Sequence, residues 1–120
     1  MRCALQDVDA VVVPSVCEET AGFSAIEQMM DGRLVIASAI GGLGEIVGEG
    51  GLLFPAGDVA ALASLMREIL SHPSLVETVG ARGRARALEL FEIGRMIRDH
   101  ARLYSRLVEV RAQGKRMAAP

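Results

Sequence analysis

At 120 residues the chain has room for one domain at most. With 51% hydrophobic and 23% charged residues its composition is that of an ordinary soluble globular protein, which excludes intrinsic disorder. A formal net charge of −2 and an aromatic content of 3% exclude the basic footprint and the stacking platform of a nucleic-acid binder.

Two cysteines, Cys3 and Cys17, are too few for a disulfide framework and lack metal-ligand spacing, so no metal site is expected. Cys17 reads as a small buried hydrophobe. No apolar run reaches the length of a membrane span and the amino terminus has no leader pattern, so the expected address is the cytoplasm.

Taken in order, residues 1–9 are weakly patterned, with Leu5 and Val8 leading into a first strand. Ala10 to Val13 is a continuous apolar run of strand length, as in a parallel sheet buried on both faces, and Pro14 and Ser15 stop it. A short acidic loop with Glu18 and Glu19 follows. Gly22 opens a helix over residues 23–31 with Phe23, Ile26, Met29 and Met30 at helical spacing, and Gly32 supplies a left-handed stop. Leu34 to Ser38 is a second buried strand, completing one βαβ unit.

Gly41 and Gly42 follow, then a short helical turn over residues 43–47, a glycine-rich turn, and a third strand over residues 52–54 closed by Pro55. Asp58 is placed to cap a helix over residues 59–71 whose inward face is Leu62, Leu65, Met66, Ile69 and Leu70. Pro73 suits the first turn of another helix, with a break at Gly80. Arg82, Arg84 and Arg86 alternate with alanines and read as a solvated face rather than a phosphate site. A last long helix spans residues 93–113, and residues 113–120 form a frayed tail. His72 and His100 sit in surface-like contexts with no assigned role.

The expected fold is α/β: a partial Rossmann-like parallel sheet of about three strands with flanking helices and a helical carboxyl-terminal half. Residues 1–112 would form this partial domain. The first strand reads as central, yet nothing in the chain covers its other edge. The run Val11, Val12 and Val13 therefore offers a surface for self-association or for a partner chain carrying the preceding half.

Strand, loop, glycine and helix place ligands at the carboxyl end of a parallel strand and at a helix amino terminus. The first-turn amides of Gly22, Phe23 and Ser24 lack helical partners and face a positive dipole end, which suits a phosphate or diphosphate. Gly22 would let a ligand approach the backbone closely. Glu19 would accept hydrogen bonds from sugar-like hydroxyl groups, and Glu27, just over one turn into the helix, would accept a vicinal diol such as ribose. The bland alternative makes Glu19 a helix-dipole residue and Glu27 a solvated one.

The stretch PSVCEETAGFSAIEQMMDGRLVIAS, then GGLGEIV, then GLLFPAGDVAALA, resembles the carboxyl-terminal domain of retaining glycosyltransferases of family 4, which have the GT-B fold. That family's E-x7-E motif falls on Glu19 and Glu27 with its glycine at Gly22; its GG-x-x-E element falls on Gly41, Gly42 and Glu45. Its turn before a helix matches Gly57, Asp58, Leu62 and Ala63, and its tail matches Gly80, Arg84, Phe91 and Tyr104. Leu34 stands where the family has proline and Gln28 where it has alanine, both expected on element surfaces.

The resemblance implies transfer of a sugar from a nucleotide-diphosphate sugar, a substrate rather than a cofactor, to an acceptor hydroxyl with retention. It implies that Glu19, the candidate catalytic residue, contacts donor-sugar hydroxyls. Gly22, Phe23 and Ser24 would contact the sugar and diphosphate, and Glu27 the ribose. Neither acid is then a general base; both position the donor. The family's acceptor-binding domain and the basic pair that holds the donor phosphates have no counterpart in these residues. The chain is expected to be a fragment or one part of a split enzyme, inactive alone. A non-catalytic interaction module docking a partner through its sheet edge, and a half-Rossmann domain with an unrelated nucleotide function, are the alternatives.

Overall fold

The computed structural model describes residues 5–117; Cys3 and the last three residues of the expected tail lie outside the described residues. Three strands, β1 (Ala10–Val13), β2 (Leu34–Ser38) and β3 (Leu52–Phe54), form one parallel sheet in the order β1-β2-β3. Helix α1 (Phe23–Met30) joins β1 to β2, and α2 (Gly42–Val47) with a 3-10 turn at Gly48–Gly50 joins β2 to β3. Three helices follow: α3 (Val59–Ser71), α4 (Ser74–Phe91) and α5 (Ile93–Met117). This is the partial Rossmann-like arrangement that the sequence predicts.

The apolar run of β2 is explained by its position. It is the middle strand, pairing Val35 with Val11 on one side and Ile36 with Leu52 on the other, and all five of its residues are buried. Leu34, Ile36, Phe54 and Val79 form a cluster onto which Ala10, Val12, Leu62, Leu65, Ile69 and Val76 pack, so α3 and α4 cover one face. Helices α1 and α2 lie against β2 and each other, with Ala25, Met29, Leu43 and Val47 fully buried, and cover the other. A strand covered on both faces has no use for polar alternation.

The core refuses one group its partner. Ser38 ends β2 fully buried beside Phe54, and its hydroxyl makes no hydrogen bond.

Several expectations are corrected. Helix α1 turns Ala25, Gln28 and Met29 inward and leaves Phe23 72% exposed, so its buried face is rotated from the one that the large side chains suggest. Gln28 and Leu34 are buried rather than superficial. The Gln28 amide is tolerated because the Arg33 guanidinium donates to its Oε1 at 3.0 Å, while also reaching Asp31 at 2.8 Å and the carbonyls of Val8 at 3.0 Å and Leu5 at 2.9 Å. Cys17 is exposed on the acidic loop, not buried. On α3 the Asp58 carboxylate caps the Ala61 amide at 2.9 Å as expected, but Met66 and Leu70 face outward, since the short β3 offers cover for only a narrow stripe.

Helix α4 runs unbroken through Gly80. A Cβ at Gly80 would lie 2.4 Å from the Gly32 carbonyl oxygen, and one at Gly83 would lie 2.4 Å from that of Gly50. These glycines let the helix touch two loops main chain to main chain, so they serve packing rather than a break. Arg86, expected in a solvated face, reaches back across the fold: its Nε donates to Ile46 O at 3.1 Å and its Nη2 to Glu45 O at 2.7 Å. It thereby satisfies carbonyls at the end of α2.

By contact the chain divides between Glu89 and Leu90 into two compact units, each described by itself. In the second, the Glu92 carboxylate accepts from the amides of Gly94 at 2.7 Å and Arg95 at 2.9 Å and so opens α5. Ion pairs Arg95–Asp99 and Arg102–Asp99 run along the helix. Helix α5 continues to Met117 rather than stopping at residue 113. No helix among the described residues is long and apolar enough to cross a membrane.

Candidate functional site

The loop between β1 and α1 is held at the carboxyl end of the sheet by a hydrogen bond within it and by contacts from the start of α2. Pro14 and Ser15 end β1, and the Ser15 hydroxyl donates to Glu19 Oε1 across four residues. The amide of Gly42, at the start of α2, donates to the Glu19 carbonyl at 2.8 Å. A Cβ at Gly41 would stand 2.9 Å from the Glu19 oxygen, and one at Gly42 would stand 2.8 Å from the Thr20 oxygen. The paired glycines after β2 thus let one loop lie directly on the other.

Gly22 then turns the chain into α1 with φ 44° and ψ 41°, the left-handed region where a side chain is strained. Gly22 is buried, and a Cβ there would stand 2.8 Å from Leu43 Cδ2 and 3.1 Å from Ile46 Cδ1. The glycine is needed for the turn and for contact with α2.

No side chain caps α1, so the first-turn amides at Phe23 and Ser24 point out of the helix end without a helical partner. Both residues are exposed, and Glu27, one turn further, is exposed on the same side as Phe23. The exposed start of α1 and Glu27 thus follow directly on the loop that holds Glu19. Glu19 is half-buried and hydrogen-bonded, whereas Glu27 stands in solvent with no side-chain partner among the described residues. The cavity of about 160 Å³ adjoining the end of β1, lined by residues that include Pro14, Val16, Phe54, Asp58, Val59 and Leu62, includes neither acid.

Chemically this stretch offers a hydrogen-bonded carboxylate acceptor, two amide donors at a positive dipole end and a second, exposed carboxylate. Such a set recognises hydroxyls, an anionic group between them and a further diol. The contacts made by four residues of the fold escaped sequence reasoning. Ser15 was visible only as the residue after a strand-ending proline. Gly41 and Gly42 were visible as a pair whose contact lies more than 20 residues away. Arg86 was indistinguishable from its exposed neighbours, since its role depends on α2 lying alongside.

Comparison with known proteins places these features. The family model described as "Glycosyl transferases group 1" matches residues 1–72. The chain is 35% identical over 97 residues to an MMP alpha-(1->4)-mannosyltransferase of Mycolicibacterium hassiacum, covering 76% of this chain and 23% of that protein. It is 32% identical over 108 residues to a trehalose synthase of Rubrobacter xylanophilus, covering 89% of this chain and 26% of that one. Among solved structures it resembles a sucrose-phosphate synthase from Thermosynechococcus elongatus, with a TM-score of 0.76, 39% identity, and coverage of 85% and 26%. It also resembles Anabaena HepE in complex with UDP, with a TM-score of 0.77, 26% identity, and coverage of 81% and 27%. The chain thus spans about a quarter of the length of these relatives.

Proposed function

The chain belongs to the group 1 glycosyltransferases, with the partial Rossmann-like fold of a GT-B carboxyl-terminal domain, and on that premise we propose that it is the donor-binding part of a retaining glycosyltransferase of family 4. The proposed ligand is a nucleotide-diphosphate sugar, a reading supported by the UDP-bound state of the similar HepE structure. Residues 1–112 make up the proposed donor domain, and residues 113–120 its tail. A cytoplasmic address goes with this reading.

The observation that carries it is the uncapped start of α1 placed directly after a loop whose acid is anchored by Ser15 and Gly42. In the proposed mode Glu19 accepts hydrogen bonds from hydroxyls of the donor sugar. The amides of Phe23 and Ser24, following the turn at Gly22, receive the diphosphate at the positive end of α1, where charge develops on the departing nucleotide. Glu27 accepts the two ribose hydroxyls. Neither acid serves as a general base; the groups fix the donor and stabilise the leaving diphosphate. Transfer itself requires an acceptor site, so we propose that the chain alone binds donor without turning it over, and acts with a portion supplying the acceptor half.

The test is an NMR titration of the isotopically labelled chain with UDP and UDP-glucose. Saturable shifts at Glu19, Phe23 and Ser24, abolished by Glu27→Ala for both ligands, are expected. Glu27 is exposed, so its replacement leaves the fold intact and a loss of binding reports on contact.

One observation favours a second reading. Strand β1 pairs with β2 alone and leaves its other edge unpaired among the described residues, with Val11 and Val12 half-buried. An interaction module that docks a partner or a second copy there would show tight association and no nucleotide binding in the same samples.

A further inference from the structure

Three acids occupy the segment between β1 and the middle of α1, and the structure treats them differently. Glu18 and Glu27 are exposed, whereas Glu19 is half-buried with its side chain and its main chain both held. Its carbonyl takes the Gly42 amide at 2.8 Å, and its Oε1 takes the Ser15 hydroxyl. Ser15 is itself half-buried and follows Pro14 just past the end of β1. A hydroxyl has one proton to give, and a carboxylate has about four acceptor positions. Ser15 therefore occupies one position on Oε1, and Oε2 has no hydrogen-bond partner among the described residues.

We propose that Ser15 is a positioning residue that holds the Glu19 carboxylate with Oε2 presented to the hydroxyls of a bound donor sugar. The proposal rests on the donor-site reading above and deepens it by assigning sugar recognition, as distinct from nucleotide recognition, to the Ser15–Glu19 pair. A free glutamate side chain loses rotamer freedom when it binds, and a side chain already fixed in the binding orientation loses less. Removing the hydroxyl releases that orientation without removing the charge. The loss falls on the part of the ligand that Glu19 touches.

The experiment compares the wild-type chain with Ser15→Ala and Ser15→Thr by NMR titration with UDP and with UDP-glucose, and reads the Glu19 side-chain 13Cδ shift without ligand. Ser15→Ala is expected to weaken UDP-glucose about tenfold, the scale of one hydrogen bond to a charged group, and to leave UDP unchanged. Ser15→Thr, which keeps a hydroxyl, is expected to restore both the affinity and the 13Cδ shift that Ser15→Ala moves. A purely structural role would weaken both nucleotides equally or leave the 13Cδ shift in place, and either result overturns the proposal. Unchanged UDP-glucose affinity in Ser15→Ala overturns it too. A wild-type chain that binds neither nucleotide sinks the donor-site reading and this proposal with it, a failure recognisable before any substitution is made.

Discussion

Two single side chains show how the packed core and the loop each constrain sequence. Ser38 is fully buried with an unpartnered hydroxyl, so its desolvation is not offset by a bond. Ser38→Ala removes the hydroxyl with little change of volume, and should raise unfolding free energy by about 1 kcal/mol, read from the midpoint of urea denaturation at constant slope. Gly22→Ala should do the opposite. The left-handed turn disfavours a Cβ, and that Cβ would meet Leu43 at 2.8 Å, so a loss of about 2 kcal/mol is expected in the same assay. At this scale the glycine that turns the chain into α1 was legible in the sequence, since it stands just before an apolar run at helical spacing. The hydrogen bonds that hold Glu19 were not, because Gly42 reaches it only once β1 and β2 are paired.

Elements were legible where periodicity and punctuation agree, and less so where neighbours decide. All three strands match their expected bounds because a short apolar run between turn residues has few alternatives. Gly80 misled because a helix glycine that permits contact has the same letter as one that ends a helix. The inward face of α1 misled because small Ala25 and amide-paired Gln28 fit against the sheet better than Phe23. Arg86 belongs to this scale too, since it fastens α4 to the end of α2. Arg86→Ala should cost about 1 kcal/mol and speed amide exchange in α2 while leaving α3 unaffected. Helix α5 carries a pH dependence of its own. The Gly94 and Arg95 amides, and then the nearby Arg98 charge, hold the Glu92 carboxyl below its ordinary value of 4.5. A group whose pKa is lower folded than unfolded stabilises above its ordinary pKa and loses that contribution as pH falls through the folded value. The first turn of α5 should therefore fray on acidification below about pH 4.5, seen as faster Gly94 and Arg95 amide exchange, and Glu92→Gln should remove most of that pH dependence.

Across the whole molecule, the chain is a sheet with both faces covered around β2 and one edge left unpaired among the described residues. Protection from hydrogen exchange should follow that asymmetry, with amides of Val35 to Ser38 slowest and those of β1 faster despite similar apolar composition, as a two-dimensional NMR time course would show. The partial sheet was legible because three strand-like runs precede an all-helical half. The division between Glu89 and Leu90 was not, since α4 continues across it as an ordinary helix.

The bare positions of α4 have a consequence for how this fold tolerates variation. Gly80 and Gly83 press against the oxygens of Gly32 and Gly50, residues that precede β2 and β3 and so lie at the end of the sheet away from the acidic loop. In a saturation-mutagenesis library scored for function, these two sites should reject every replacement while exposed Arg82 between them accepts most. Intolerance to substitution would thus mark a seam remote from the acidic loop as sharply as it would mark the proposed role of Glu19. A map of sensitive positions on this chain would show two hot regions at opposite ends of the strands, and only abundance measured beside donor binding would tell them apart.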